Sequence, residues 1–156
     1  MRAAFIPWIA LSVIVLASGE IALPSGSITL RSDAEVTGNV ETDSGVVRVE
    51  GAHVGGRIET TSGDIYIGPD SRIDGGILVQ RRGLIGFAFG DFRLGIPVGS
   101  STTPRVVIGP RASVAGVLRF KRDVELLVSD SATIGPVHGA TPVMFATEQP
   151  PARTIE

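Results

Sequence analysis

The segment Ile28-Thr29-Leu30-Arg31-Ser32-Asp33-Ala34-Glu35-Val36-Thr37-Gly38-Asn39-Val40 decides the fold, because its apolar spacing returns further along the chain. Later copies run Val47-Arg48-Val49 with Val54 and Ile58, Ile65-Tyr66-Ile67 with Ile73 and Ile77, Val107-Ile108 with Val114 and Leu118, and Leu127-Val128 with Ile134. Laid over one another, the copies start at Ile28, Val47, Ile65, Val106 and Leu126. Within each, apolar and polar residues alternate, as in Ser27-Ile28-Thr29-Leu30-Arg31, so one face of a short strand enters a core and the other meets water. A repeat of about 18 to 20 residues made of such strands cannot bury its apolar face until another stacks on it. The expected fold is all-β: a single-stranded β-solenoid, a right-handed parallel β-helix of roughly five to six coils.

The punctuation between strands agrees. Gly38, Gly55-Gly56, Gly75-Gly76 and Gly116 each follow an inward Val or Ile, where the chain must bend and a Cβ would clash. Leu30 to Val36, Ile67 to Ile73, Ile108 to Val114 and Val128 to Ile134 are each six steps, but Val49 to Val54 is five, which predicts one tighter corner around Gly51 and Gly55. Ser44-Gly45 and Ser62-Gly63 recur at matching corners and read as turns. No segment after the N-terminal stretch has the spacing of an amphipathic helix.

One interval departs from the rhythm. Ile73 to Val114 spans 41 residues, about two periods, and its middle holds Phe87, Phe89 and Phe92. The expectation for 80–104 is an irregular further coil, from Val79 or Leu84 to about Val98, followed by a loop at Gly99 to Pro104. The alternative is an insertion that projects as a hairpin or lip with exposed aromatics and contacts a membrane or partner. After Gly139 the repeat fades, so 141–156 is expected to be a cap segment, Thr141 to Thr147, followed by a disordered tail.

Met1-Arg2, the apolar run Ala3 to Ala17, and the small residues Ala17-Ser18-Gly19 have the form of a secretory signal over 1–19, cut after Gly19. The other readings are an uncleaved N-terminal anchor over Ala3 to Leu23, or a short membrane-touching tail on a cytoplasmic protein. The solenoid domain then occupies 20–140, and the expected location is extracytoplasmic, periplasm or cell surface, with membrane anchorage as the variant. A mean hydropathy of +0.30 excludes a disordered polyelectrolyte. With no cysteine, disulfides, thiolate metal sites and a lipid-modified cysteine are all excluded.

The net charge of -2 hides a segmentation. From Glu20 to Asp74 ten acids face four arginines, whereas from Gly75 to Arg122 eight bases face Asp91 alone. Because sequence order becomes axial position in a solenoid, this predicts an acidic lower half and a basic upper half. Arg81, Arg82, Arg119, Lys121 and Arg122, with the three phenylalanines, are the candidate partner or membrane contacts. An anionic envelope polymer or lipid is the chemistry they would suit.

No constellation for catalysis, cofactor or metal emerges. His53 and His138 are the only histidines, fall in distant coils, and read as polar corner residues; three histidines for a zinc site cannot be assembled. There is no Gly-x-Ser-x-Gly elbow, phosphate loop or calcium nonapeptide, and Asp70 and Asp74 are spaced by the repeat rather than gathered as a glycosidase pair. Arg119-Phe120-Lys121-Arg122 alone hints at nucleic acid, which is not expected as a partner.

Val106-Val-Ile-Gly-Pro-Arg-Ala-Ser-Val-Ala-Gly-Val, Ile65-Tyr-Ile-Gly-Pro-Asp-Ser-Arg-Ile-Asp-Gly-Gly-Ile and Val128-Ser-Asp-Ser-Ala-Thr-Ile-Gly resemble coils of the bactofilins, bacterial polymer-forming proteins. The resemblance covers Gly26 to Val137 outside the Phe-rich interval. It implies a right-handed triangular β-helix that polymerises end to end without nucleotide, near the membrane, in shape or envelope organisation. The export-like leader and the Phe-rich interval depart from that family. Ile58-Glu-Thr-Thr-Ser-Gly-Asp-Ile-Tyr-Ile and Val40-Glu-Thr-Asp-Ser-Gly-Val-Val resemble secreted adhesin-like β-repeat proteins. Three functions follow as expectations: a non-enzymatic, self-associating envelope scaffold; an adhesin-like binding module using the basic band or the Phe-rich lip; and, more remotely, a hexapeptide-type acyltransferase.

Overall fold

The computed structural model describes residues 11–12, 16–17, 19–81, 103–146 and 150–151, the first two pairs by backbone alone. Three parallel sheets run along one axis, and the chain visits them in turn. Sheet A contains Leu11–Ser12, Ile28–Leu30, Val47–Val49, Ile65–Ile67, Arg105–Ile108, Glu125–Ser129 and Pro142–Phe145. Sheet B contains Leu16–Ala17, Glu35–Val36, His53–Val54, Arg72–Ile73, Ser113–Val114 and Thr133–Ile134. Sheet C contains Ile21–Leu23, Val40–Thr42, Ile58–Thr60, Ile77–Val79, Leu118–Phe120 and Val137–His138. The architecture is an all-β solenoid of about five turns, and no helix occurs among the described residues.

The sequence alignment is the strand register. Ile28, Val47, Ile65, Val106 and Leu126 stand in one ladder, and Val36, Val54, Ile73, Val114 and Ile134 in another. Val40, Ile58, Ile77, Leu118 and Val137 form the matching ladder of sheet C. From Leu30 to Leu118 these inward side chains are fully buried, each worth about 1.5–3 kcal/mol of transfer free energy. A single dry aliphatic core therefore runs along the axis.

Direct pairing of Ile65 with Val106, Ile73 with Val114 and Ile77 with Leu118 corrects the expectation of a further coil between the third and fourth copies. A turn inserted there would hold the two copies about two strand spacings apart, roughly 9.6 Å. The long interval thus adds no turn between these two copies; the described chain runs to Arg81 after Ile77–Val79 and resumes at Thr103, ahead of Arg105–Ile108. Its centre, with Arg82, Phe87, Phe89 and Phe92, lies outside the described residues, so the projecting lip expected there does too.

The glycine corners follow from packing. Gly38, Gly56, Gly75, Gly116 and Gly135 stack between sheets B and C, and a Cβ on any of them would come under 3.0 Å from backbone of the turn below. The short second turn is accommodated at Gly51, whose φ of 63° takes the left-handed position that Asp33, Asp70 and Arg111 take in other turns. Gly55 is not in that region.

At the N-terminal end, Leu11–Ser12 and Leu16–Ala17, inside the segment read as a leader, pair with Ile28–Thr29 and Glu35–Val36. At the other end, Pro142–Phe145 is the last strand of sheet A, in register with Leu126 to Ser129. It covers the final turn on one of three sides.

Candidate functional site

Three surfaces carry chemistry, each made of outward positions that the register aligns. On sheet C the outward ladder reads Glu41, Glu59, Leu78, Arg119, His138, from acid to base along the axis. Adjacent Glu41 and Glu59 would repel; Gln80 Nε2 donates to Glu59 Oε1 at 2.8 Å and Arg57 Nε lies 3.7 Å from Glu59 Oε2. In the upper half Arg81, Arg119 and Lys121 are exposed, and the Lys121 N–H donates to Val79 O, which sets it beside the chain leading to Arg81. Arg122 is half-buried and its Nη1 donates to Thr61 O at 3.1 Å, so it serves the corner rather than the surface. Of the residues predicted to contact a partner, the fold therefore brings Arg81, Arg119 and Lys121 together.

On sheet B, His53 faces outward from a strand, as His138 does on sheet C, rather than standing at a corner. Its Nε2 meets Asp74 Oδ2 at 2.8 Å, and its Nδ1 lies 3.8 Å from Glu35 Oε1. Arg72 Nε donates to Asp74 Oδ1 at 2.8 Å. The hydrogen bond from His53, then that from Arg72, hold the Asp74 carboxyl below the usual carboxylate range. This cluster ties three successive turns together. Asp70 is likewise lowered, chiefly by hydrogen bonding to Arg111 one turn above, with Nε–Oδ1 at 2.8 Å and Nη2–Oδ2 at 3.0 Å. Among the described residues no group of three or more His, Asp or Glu side chains is placed to hold a metal ion.

Sheet A differs, because its outward ladder turns apolar: Thr29, Arg48, Tyr66, Val107, Leu127, Val143. Val107, Leu127 and Phe145 are buried in a small cluster with Tyr66 packed against it. Beside it, Gly68-Pro69 stacks under Gly109-Pro110, and a groove of about 820 Å³ opens between these pairs, Tyr66 and Pro150-Pro151. Sequence patterning missed this groove, since it is assembled from outward positions that obey no apolar rule; the repeated Gly-Pro pairs were its only visible trace.

The C-terminal end of the stack forms a fourth surface, made of inward positions. The inward ladder Leu30, Val49, Ile67, Ile108, Val128 is buried throughout, but its final member Met144 is 56% exposed. Ile134 and Val137, the last inward residues of sheets B and C, are half-buried.

With this geometry, the chain is a β-solenoid with an apolar end, a basic upper flank and a grooved face. No family model, no curated protein and no solved structure matches it. Among the described residues no helix is long and apolar enough to cross a membrane.

Proposed function

We propose that this protein is a non-enzymatic scaffold of the bacterial cell envelope, bactofilin-like in kind, that self-associates through the ends of its solenoid outside the cytoplasm. The observation that carries the reading is Met144: an inward core position left 56% exposed, with no turn above it among the described residues. Ile134 and Val137 beside it and the open backbone of the last strands complete an apolar, hydrogen-bonding platform. A second copy stacked there would continue the core and pair the edge, and repetition of such contacts builds oligomers or filaments. The export-like start of the chain supports the location.

Sedimentation velocity and electron microscopy test this. The mass should rise with concentration and short rods or filaments should form, while Met144→Glu should hold the chain at its monomer mass by placing a charge on the platform. A wild-type chain that stays monomeric at high concentration overturns the reading.

A second reading, an adhesin-like module that holds anionic lipid or envelope polymer, is favoured by the exposed group Arg81, Arg119 and Lys121. It needs no association of ends.

A further inference from the structure

The Gly-Pro groove of sheet A already has an occupant, the chain's own Pro150-Pro151. Two turns build its floor identically: Gly68-Pro69 and Gly109-Pro110 lie one above the other, where the turn below carries Glu50 and the turn above Ser129. A side chain at either glycine would crowd the floor, since a Cβ on Gly109 would meet Ile67 O at 2.9 Å and one on Gly68 would meet Val49 O at 3.0 Å. Tyr66 provides an aromatic wall, backed by the Arg48 guanidinium at 5.4 Å from its ring centroid.

Arg105 provides the polar anchor. Its side chain is only 7% exposed, and its Nη2 donates to the carbonyl of Pro151. Its Nε faces Glu125 Oε2 at 3.4 Å, an ion-pair contact without hydrogen-bond alignment. A nearly buried guanidinium is costly to hold unless its donors find acceptors. Here one acceptor is a backbone carbonyl supplied by the chain terminus, from a residue 46 positions away.

An aromatic wall, a narrow apolar floor and a donor aimed at a backbone carbonyl are the elements by which grooves recognise extended proline-bearing chain, whose preformed conformation loses little entropy on docking. We infer that this groove is a docking site for an extended proline-containing peptide segment, and that its resident occupant is the C-terminal Pro150-Pro151 segment, held as a releasable strap. The site stands apart from the solenoid ends and does not depend on self-association.

Tyr66 is the chain's single tyrosine, so ring-labelled tyrosine gives one NMR signal, in the groove. The measurement uses the full chain, in a fraction that sediments as a monomer, and compares wild type with a Pro150→Ser/Pro151→Ser variant whose changes lie outside the core. The variant's Tyr66 signal should move. Adding a synthetic peptide with the sequence of residues 146–156 should return it to the wild-type position saturably, and the same peptide with both prolines replaced by serine should not. Wild type, already occupied, should respond to neither peptide. An identical Tyr66 signal in the two proteins, a variant that the proline peptide fails to restore, or equal restoration by the serine peptide would overturn the inference.

Discussion

Ser71 completes the corner of the turn beneath it: its Oγ accepts the N–H of Gly51 at 3.0 Å and donates to Val49 O at 3.2 Å. The other described turns place Ala34, Ala52, Ala112 and Ala132 at this corner position, and among the described turns only Ser71 carries a hydroxyl there. The reason lies below it, where the second turn is one residue short from Val49 to Val54. A six-step corner closes on itself, as when Ala34 N–H donates to Arg31 O and Ala112 N–H to Gly109 O. The five-step corner instead uses the serine above it.

Ser71→Ala should therefore destabilise more than its size suggests. The side chain is 1% exposed, and its loss leaves the Gly51 N–H without its acceptor, while Val49 O keeps the Gly68 N–H at 2.6 Å. An unsatisfied buried polar group costs about 1–3 kcal/mol, and the urea midpoint should fall accordingly with unchanged slope. Ala112→Ser, which adds a hydroxyl above the six-step corner of Gly68-Pro69-Asp70, where no residue is missing and Pro69 has no N–H to offer, should gain nothing. Equal stability of Ser71→Ala and wild type would contradict the assigned role.

The aliphatic ladders were legible in the sequence because inward positions alternate strictly, and one apolar template captures Val36, Val54, Ile73 and Val114 alike. Polar residues facing inward were not. Thr42 and Thr60 are buried in the sheet C ladder, where their Oγ1 atoms accept the N–H of Gly45 at 3.2 Å and of Gly63 at 2.9 Å, and a hydrophobic template passes over them. An interval near two periods long looks like a missing turn in the sequence, and only pairing of Ile65 with Val106 shows that no turn stands between those two copies. At the candidate surfaces charge order along the chain foretold the acid-to-base ladder of sheet C, but not which bases are spent. Arg105 and Arg122 serve the interior and a corner, and Arg111 grips Asp70.

Gly75→Ala tests the stacked corners. Its Cβ would fall against the carbonyl carbon of Gly56 at 2.5 Å, and that neighbour is backbone held by its own hydrogen bonds, including Gly75 N–H to Gly56 O at 3.0 Å. Relief requires the two turns to separate locally, so the cost should reach the upper range for overpacking, about 2–3 kcal/mol. Thermal unfolding of this variant should begin well below wild type. An unaltered melting temperature would mean that the turns are not in van der Waals contact at this corner.

Acid sensitivity follows from Asp70 and Asp74. Both carboxyls are held below their ordinary range when folded, Asp70 first by the Arg111 hydrogen bonds and Asp74 first by that from His53. A depressed folded-state pKa means that the unfolded chain binds the proton more readily, so the stabilisation is present above the unfolded value of about 3.9 and is lost as pH falls through the folded value. Melting temperature should thus be insensitive to these two groups near neutrality and decline below about pH 4. A double Asp70→Asn/Asp74→Asn variant should start lower at neutral pH and show a shallower acid limb. Parallel acid limbs in the two proteins would show that these contacts do not couple to folding.

The basic flank should govern binding to anionic surfaces. Arg119 and Lys121 are exposed on the upper turns of sheet C, whereas the matching lower positions on that ladder are Glu41 and Glu59, so an anionic surface meets attraction at one end of the rod and repulsion at the other. A basic side chain near an anionic leaflet contributes about 1 kcal/mol, and removing two should lower partitioning onto phosphatidylserine vesicles roughly thirtyfold. Arg119→Ala/Lys121→Ala should show that loss together with a weaker dependence on salt, because fewer charges are screened. Arg31→Ala, an exposed base on the lower turns, should leave partitioning nearly unchanged. If the two variants behave alike, the attraction is set by net charge, and the axial order of acids and bases has no bearing on what the protein meets.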